Sequence, residues 1–256
     1  MMSVQVPVGK IPLPHASLAP FTRSRILLRR LPIAVVGFLL ILFAAGCRAE
    51  SRSAAAEVSD VDVRRLPPTR KALVPDVMVQ AADRGRVIGG DTSVVPLFVI
   101  SDFACADCRA WFHATLPLLR TEYINAGKIR LTWVHYPLRA HRNSVAAASA
   151  SLCAGVQGKF WEASQRLFDA QQTWAPVADA GAILDSIASV PGIDAFSFRD
   201  CTASKRLFRQ IRADIDWADK SSAGRPLTVL VGSHRVSDGA SISALRTAID
   251  SALARP

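Results

Sequence analysis

A C-x-x-C spacing, formed by Cys105 and Cys108, stands at the junction between a predicted strand and a predicted helix. Before it, residues 94–100 form a continuous apolar run that is typical of a strand buried on both faces. After it, residues 106–126 show the periodicity of a helix, and residues 129–133 alternate apolar with polar side chains as in a second strand. This order predicts a β-α-β unit with the cysteine pair at the start of its helix.

The position of the pair favours thiol–disulfide chemistry. Cys105 would sit at the helix N-terminus, where unpaired N–H groups and the helix dipole stabilise a thiolate. Cys108 lies one turn further and is suited to resolving a mixed disulfide, while Arg109 adds positive potential near Cys105. The alternative is half of a zinc site, but the sequence contains no second C-x-x-C. We therefore interpret Cys105 and Cys108 as a redox pair and expect no metal.

Residues 1–46 are predicted to be a signal or lipoprotein leader. The stretch 31–46 is uncharged and mostly apolar, and it is shorter than the roughly 20 residues of a spanning helix. It ends in small residues followed by Cys47, which is similar to the lipid-attachment sequence of bacterial lipoproteins. A plain signal peptide and an uncleaved anchor remain alternatives. Each alternative places the folded part outside the cytoplasm and connects the chain to the membrane through a signal or a lipid.

The net charge of +10 does not indicate a nucleic-acid partner. Half of it comes from the leader, which contains no acidic residue and carries the basic residues Lys10, Arg23, Arg25, Arg29 and Arg30. The remaining basic residues are dispersed, so we expect a solvated surface and no nucleic-acid binding.

The remaining sequence divides into a linker and one domain. Residues 47–83 are rich in Ala, Ser, Arg, Asp and Pro and are predicted to be a flexible linker. Residues 84–256 form the domain, and within it about 143–221 read as helices throughout. A β-β-α unit follows, with strands at 227–231 and 235–236 and a helix at 241–254. The prediction is an α/β fold in which two halves flank a helical insertion.

Several segments in this order resemble DsbA-like thioredoxin-fold proteins of the BdbD type. The resemblance covers roughly residues 84–254 and rests on four segments: Asp102-Phe103-Ala104-Cys105-Ala106-Asp107-Cys108-Arg109, Tyr136-Pro137-Leu138 with His141, Cys153-Ala154-Gly155-Val156-Gln157-Gly158-Lys159-Phe160-Trp161, and Gly224-Arg225-Pro226-Leu227-Thr228. It implies a thioredoxin fold with an inserted helical domain. It also implies that Pro226 is a cis-proline packed against the redox pair, with the backbone of Arg225 presented to an incoming peptide.

The same resemblance implies a structural disulfide between Cys153 and Cys201, which an oxidising compartment permits. The alternative is two buried free thiols that pack as small apolar residues.

Three positions depart from the family pattern. Val99 stands where relatives usually carry a buried acid that moves the proton of the resolving cysteine, so water or another group, of which Asp102 is nearest, must act instead. Asp107 precedes the second cysteine, and its carboxylate should oppose the Cys105 thiolate, which predicts a higher Cys105 pKa and a weaker oxidant than in strongly oxidising DsbA proteins. Arg225 replaces a small or β-branched residue, and its guanidinium is a candidate partner for Asp107 or for the thiolate.

The resemblance implies a protein disulfide oxidoreductase that exchanges disulfides with protein thiols and is reoxidised by a membrane redox partner. Oxidation of substrates is favoured over reduction or isomerisation, although the sequence does not fix the direction. No Gly-rich phosphate loop or ligand cluster is found, so no cofactor is expected. The alternative is a non-catalytic peptide- or copper-binding protein. Copper binding is disfavoured because Met1, Met2 and Met78 all precede the predicted domain.

Overall fold

The computed structural model describes Arg64 and residues 76–221 and 223–255. The strands are β1 (Val87–Ile88), β2 (Val95–Ser101), β3 (Ile129–His135), β4 (Thr228–Val231) and β5 (His234–Arg235). The helices are α1 (Val77–Gly85), α2 (Ala106–Ala114), α3 (Leu116–Leu119), α4 (Ser144–Val156), α5 (Phe160–Asp169), α6 (Gln171–Trp174), α7 (Gly181–Asp185), α8 (Ala195–Ser204), α9 (Phe208–Lys220) and α10 (Ile242–Leu253). A π-helical turn (Arg120–Ile124) follows α3, and a 3₁₀ turn (Ser186–Ser189) follows α7.

The strands form one sheet in the order β1-β3-β2-β4-β5. β2 and β3 run parallel, as a β-α-β unit requires, and β4 pairs antiparallel with β2. The central strand β2 buries Leu97, Val99 and Ile100 completely, which explains its continuous apolar sequence. The predicted α/β thioredoxin fold is confirmed, and the predicted strands agree with the observed ones to within two residues.

The helix after the cysteine pair is interrupted. The periodicity of 106–126 predicted one helix, but α2 ends at Ala114 and α3 starts at Leu116, with Pro117 in its first turn. Proline lacks an N–H and its ring clashes with the preceding turn, so a new helix begins where an unbroken one would lose a hydrogen bond. The interruption leaves α2 as a short, separate helix that carries the redox pair.

The segment between β3 and β4 is helical, as predicted. It packs on the redox helix through aromatic rings, because Phe112 of α2 lies against Phe168 of α5 with ring centroids 4.9 Å apart. A disulfide joins Cys153 of α4 to Cys201 of α8, as the resemblance implied, with Cα atoms 5.8 Å apart. This bond ties two helices of the insertion together.

Helix α1 starts inside the segment assigned to the linker. Its Ala82 is fully buried, and a Cβ on Gly85 would collide with the carbonyl of Gly155, so α1 and α4 touch backbone to backbone. Met78 of α1 lies 4.0 Å from the sulfur of Cys201. The expectation that no methionine lies in the domain was therefore wrong, because α1 packs on the insertion; its partner there is a disulfide sulfur.

A buried ionic cluster connects the sheet to the insertion. Arg86 forms an ion pair with Asp214 of α9 and donates a hydrogen bond to the Trp133 carbonyl at 3.0 Å. Asp214 also accepts hydrogen bonds from the backbone N–H of His135 at 2.9 Å and from its Nδ1 at 3.1 Å. The Nε2 of His135 pairs with the Ser151 hydroxyl at 3.0 Å. The end of β3 is thus held by helices α4 and α9.

The predicted leader, Cys47 and most of the predicted linker lie outside the described residues. Arg64 is described, and its guanidinium lies over the Tyr136 ring, 4.8 Å from the centroid. No helix within the described ranges is long and apolar enough to span a membrane.

Candidate redox site

Cys105 caps the N-terminus of α2. Its backbone is extended, and its Sγ accepts a hydrogen bond from the Cys108 backbone N–H at 3.3 Å. Both cysteines are free thiols; Cys105 is partly exposed and Cys108 is fully buried. A substrate sulfur approaching from solvent therefore meets Cys105 first, with Cys108 behind it.

The surroundings of Cys105 favour its thiolate. The largest effect is a hydrogen bond from the Cys108 thiol, which together with the backbone N–H groups of Cys108 and Asp107 lowers the pKa. Partial burial and the negative charge of Asp102 oppose this, and the pKa settles at about 7. The opposing charge comes from Asp102, whereas Asp107 lowers the pKa through its backbone N–H, so the cause expected from the sequence, the Asp107 carboxylate, is not observed.

Burial raises the pKa of Cys108 well above its ordinary value. Val99, at the position where an acid was expected, is completely buried and provides no proton carrier. Ser101 points to the same face of β2 two residues later. Its hydroxyl is buried without a conventional hydrogen-bond partner among the described residues, and its interaction with the sulfur opposes the rise in the Cys108 pKa.

Asp102 is buried beside Cys105 and Cys108 and accepts several hydrogen bonds. Its carboxylate accepts hydrogen bonds from the backbone N–H of Ala104 at 2.9 Å and of Leu138 at 2.9 Å. It also accepts from the Ser144 hydroxyl and from the His141 Nδ1, the latter at 2.7 Å. The hydrogen bond to Asp102 raises the pKa of His141, and the charge of Cys105 contributes in the same direction. The segments around Asp102 and His141 are thereby joined into one site.

Gln171 fixes the loop that enters the redox helix. Its side chain is buried, and its Nε2 donates to the carbonyls of Phe103 at 2.6 Å and Cys105 at 2.9 Å. Sequence reasoning missed Gln171, Ser101 and Ser144. The one available signal was the placement of polar residues in otherwise buried elements, which does not tell which distant group they contact.

The other predicted site residues, Asp107, Arg109 and Arg225, differ in their exposure. Asp107 is exposed in the first turn of α2, and Arg109 is partly buried one turn after Cys105. Arg225 is exposed and forms no ion pair with Asp107 in the described part of the chain, so that suggested contact is not observed. An exposed ion pair is worth little against the solvation of both groups, which explains its absence.

The Pro226 loop precedes β4 at the same end of the sheet as the cysteines. Thr228 pairs with Ile100, so Pro226 lies just beyond the point where β2 leads into Asp102. The cis peptide bond of this loop joins Pro226 to Leu227. The cis bond was expected one residue earlier, between Arg225 and Pro226, so that prediction was wrong. The backbone turns immediately before it, where the Arg225 N–H is bonded to the Ala223 carbonyl at 2.5 Å and the Arg225 carbonyl to the Thr228 hydroxyl at 2.9 Å.

Across residues 76–221 and 223–255, no group of three or more His, Cys, Asp or Glu side chains is arranged to hold a metal ion. The arrangement of an exposed, activated sulfur in front of a buried one is suited to disulfide exchange.

Comparison with known proteins agrees with this chemistry. Residues 81–251 match the thioredoxin family model. The chain is 28% identical over 170 residues to the probable disulfide bond formation protein D of Bacillus anthracis, covering 65% of this chain and 77% of that protein. It is also 34% identical over 200 residues to the Na⁺/H⁺ antiporter NhaA 1 of Salinispora arenicola, covering 74% of this chain but 29% of the antiporter. That second likeness concerns one part of a longer protein.

Two solved structures share the fold. BdbD from Bacillus subtilis, in its oxidised form, superposes with a TM-score of 0.60 at 20% identity, over 66% of this chain and 92% of that one. DsbA from Chlamydia trachomatis superposes with a TM-score of 0.57 at 18% identity, over 72% and 96% of the two chains. The family model, which matches about two thirds of the chain, shows that the chain belongs to the thioredoxin family.

Proposed function

We propose that this protein is exported and oxidises pairs of thiols in other exported proteins through Cys105 and Cys108. The observation that carries the proposal is the placement of the Cys105 sulfur at the N-terminus of α2, partly exposed, with the buried Cys108 sulfur directly behind it. The pKa of Cys105, lowered to about 7, makes it the better leaving group of the two.

The reaction starts from the oxidised pair. A substrate thiolate attacks the Cys105 sulfur, a substrate–Cys105 bond forms, and the Cys105–Cys108 bond breaks. Cys108 leaves as a thiolate and takes up a proton, which its raised pKa favours. A second substrate thiolate then attacks the substrate sulfur of the mixed disulfide, and Cys105 leaves as a thiolate. The substrate loses two electrons and the enzyme pair gains them.

Three further elements complete the proposal. The Pro226 loop, with the exposed Arg225, binds the backbone of the substrate beside the pair. Asp107 and Arg109 tune the Cys105 thiolate. A membrane redox partner reoxidises the pair, and the leader, or a lipid on Cys47, holds the enzyme at the outer side of the cytoplasmic membrane. The name of the Bacillus anthracis relative supports a role in disulfide formation.

The reduction potential tests the direction. Equilibration of the full chain with glutathione, read out by alkylation of the free thiols, gives the potential of the Cys105–Cys108 pair. A value toward the ~−120 mV of DsbA supports oxidation of substrates. A value near the ~−270 mV of thioredoxin overturns it in favour of a reductase or isomerase. Cys105→Ser should abolish turnover of a dithiol peptide, and Cys108→Ser should accumulate mixed disulfides.

A further inference from the structure

A cleft of about 690 Å³ opens beside the redox pair. Ala104 and Ala106, the two chain neighbours of Cys105, both line it. The opposite wall comes from the helical insertion and includes Gln171 and the segment 175–178, which consists of alanine, proline and valine. The cleft is therefore bounded by the active-site loop on one side and by the insertion on the other.

The charged side chains that line this cleft are all basic. Arg109 extends from α2, while His141 and Arg142 come from the loop after β3. Asp102 balances the charge of His141 through their hydrogen bond. Neither Arg109 nor Arg142 forms an ion pair within the described ranges of the chain. The two arginines therefore leave the cleft with an uncompensated positive charge.

No acidic side chain lines the cleft, and the acid that follows its lining segment in the chain is not among the lining residues. Asp179 follows the lining segment, and its carboxylate accepts the backbone N–H of Gly181 at 2.7 Å. Apart from Gln171 and Gln172, the remaining lining is small and apolar, which suits a polypeptide backbone with short or extended side chains. Guanidinium groups at the rim of an apolar groove are well placed to pair with carboxylates.

We propose that this cleft binds an acidic segment of the substrate polypeptide, so that the enzyme prefers cysteines flanked within a few residues by Asp or Glu. This specificity rests on the proposed function, since it concerns the substrate that meets Cys105. Arg109 and Arg142 are the specificity-determining residues, and they pair with substrate carboxylates while the backbone lies along the alanine-rich wall.

Binding of a non-reactive peptide tests the cleft without requiring turnover. The probe is a short fluorescent peptide with glutamate on each side of a central serine, which replaces the cysteine, and it is compared with matched glutamine and lysine peptides. With the full chain, the glutamate peptide should bind about fivefold more tightly than the glutamine peptide, as expected for two partly exposed ion pairs. The preference should disappear near ~1 M salt, where the screening length is about 3 Å.

Variants locate the effect. Arg109→Gln and Arg142→Gln should each weaken binding of the glutamate peptide about two- to threefold and leave the glutamine peptide unchanged. Arg209→Gln is the matched control, because this exposed arginine of α9 does not line the cleft. Equal affinity for the three peptides, or an equal loss with Arg209→Gln, overturns the proposal.

Turnover distinguishes this inference from the proposed function. With cysteine restored, the glutamate peptide should show the same preference in kcat/KM, and reduction of the enzyme by dithiothreitol should be unaffected by Arg142→Gln. Selective binding of glutamate peptides without any turnover would support the cleft and overturn the oxidase. Turnover without selectivity in binding or kcat/KM would do the reverse.

Discussion

The carboxylate of Asp102 and the imidazole of His141 are joined by a 2.7 Å hydrogen bond directly beside the redox pair. The two residues are 39 positions apart in the chain, and the fold brings them together at the ends of β2 and β3. The bond raises the pKa of His141 and thus favours its cationic form next to the Cys105 thiolate. The negative charge of Asp102 raises the pKa of Cys105, and the positive charge of His141 partly offsets that effect.

Replacing His141 by Asn should raise the pKa of Cys105. The imidazolium and the thiolate attract one another, so removing the cation removes a stabilising charge and leaves Asp102 uncompensated. Thiolate absorbance against pH measures the shift. His113→Asn is the matched control, since this exposed histidine of α2 pairs with Asp169 instead. An unchanged Cys105 pKa in His141→Asn would show that the histidine has only a structural role.

Replacing Ser101 by Ala should slow the release of the Cys108 thiolate when a substrate thiolate attacks the Cys105–Cys108 disulfide, by about two- to tenfold, the range expected for one hydrogen bond. The buried hydroxyl lies where it stabilises the Cys108 sulfur as a thiolate. Stopped-flow mixing of oxidised enzyme with a peptide thiol measures the step. Since this hydroxyl has no conventional partner in the described structure, the free energy of unfolding should not decrease. A stability loss with normal kinetics contradicts this role.

Replacing Asp214 by Asn should cost about 3 kcal/mol of unfolding free energy, the low end for a broken buried ion pair, because the buried Arg86 then keeps only its ion pair with the more exposed Asp83. Denaturant unfolding measures the loss. Asp216→Asn on the same helix is the control; its ion pair with Arg212 at 2.8 Å lies nearer the surface and is worth at most about 1 kcal/mol. Similar losses in the two variants would show that burial of the cluster does not govern its contribution.

The stability of the protein should pass through a maximum with pH. Burial lowers the pKa of His135, so the unfolded chain takes up a proton below about 6.5 that the folded chain resists, and stability falls as pH falls. His141 has a raised pKa, so its contribution is present below about 6.5 and is lost as pH rises through the folded-state value. Urea unfolding at a series of pH values measures both slopes. His135→Gln should flatten the acid side and His141→Gln the alkaline side.

Local patterns were enough to predict β2 to β5 and the position of Cys105 and Cys108 at the start of a helix, but not the two-residue edge strand β1. The apolar run of 94–100 is dictated by a central strand covered on both faces, and the helix dipole explains why a cysteine pair stands at its end. A short helix at 72–82 was considered within the linker, but its packing on the domain was not predicted, because the close approach of Gly85 to Gly155 in α4 is a property of the folded chain.

The hydrogen bonds around Cys105 and Cys108 were harder to predict from the sequence. The contacts of Asp102 with Ser144 and of Gln171 with two carbonyls depend on how helices separated by many residues pack. Periodicity reports which face of an element is buried and gives no information about which partner meets it. The position of the cis bond in the Pro226 loop is likewise a property of the folded turn.

The hydrogen bonds of Gln171 make the helical insertion a structural part of the catalytic loop. Two carbonyls that flank the reactive cysteine have their donor in a helix inserted between β3 and β4. Buried carbonyls that lose a donor are costly, and the loop would rearrange to find new partners. A minimal protein trimmed to the sheet and its neighbouring helices would therefore lose the geometry of its own reactive sulfur, and grafting this insertion onto another thioredoxin scaffold would have to carry the glutamine with it.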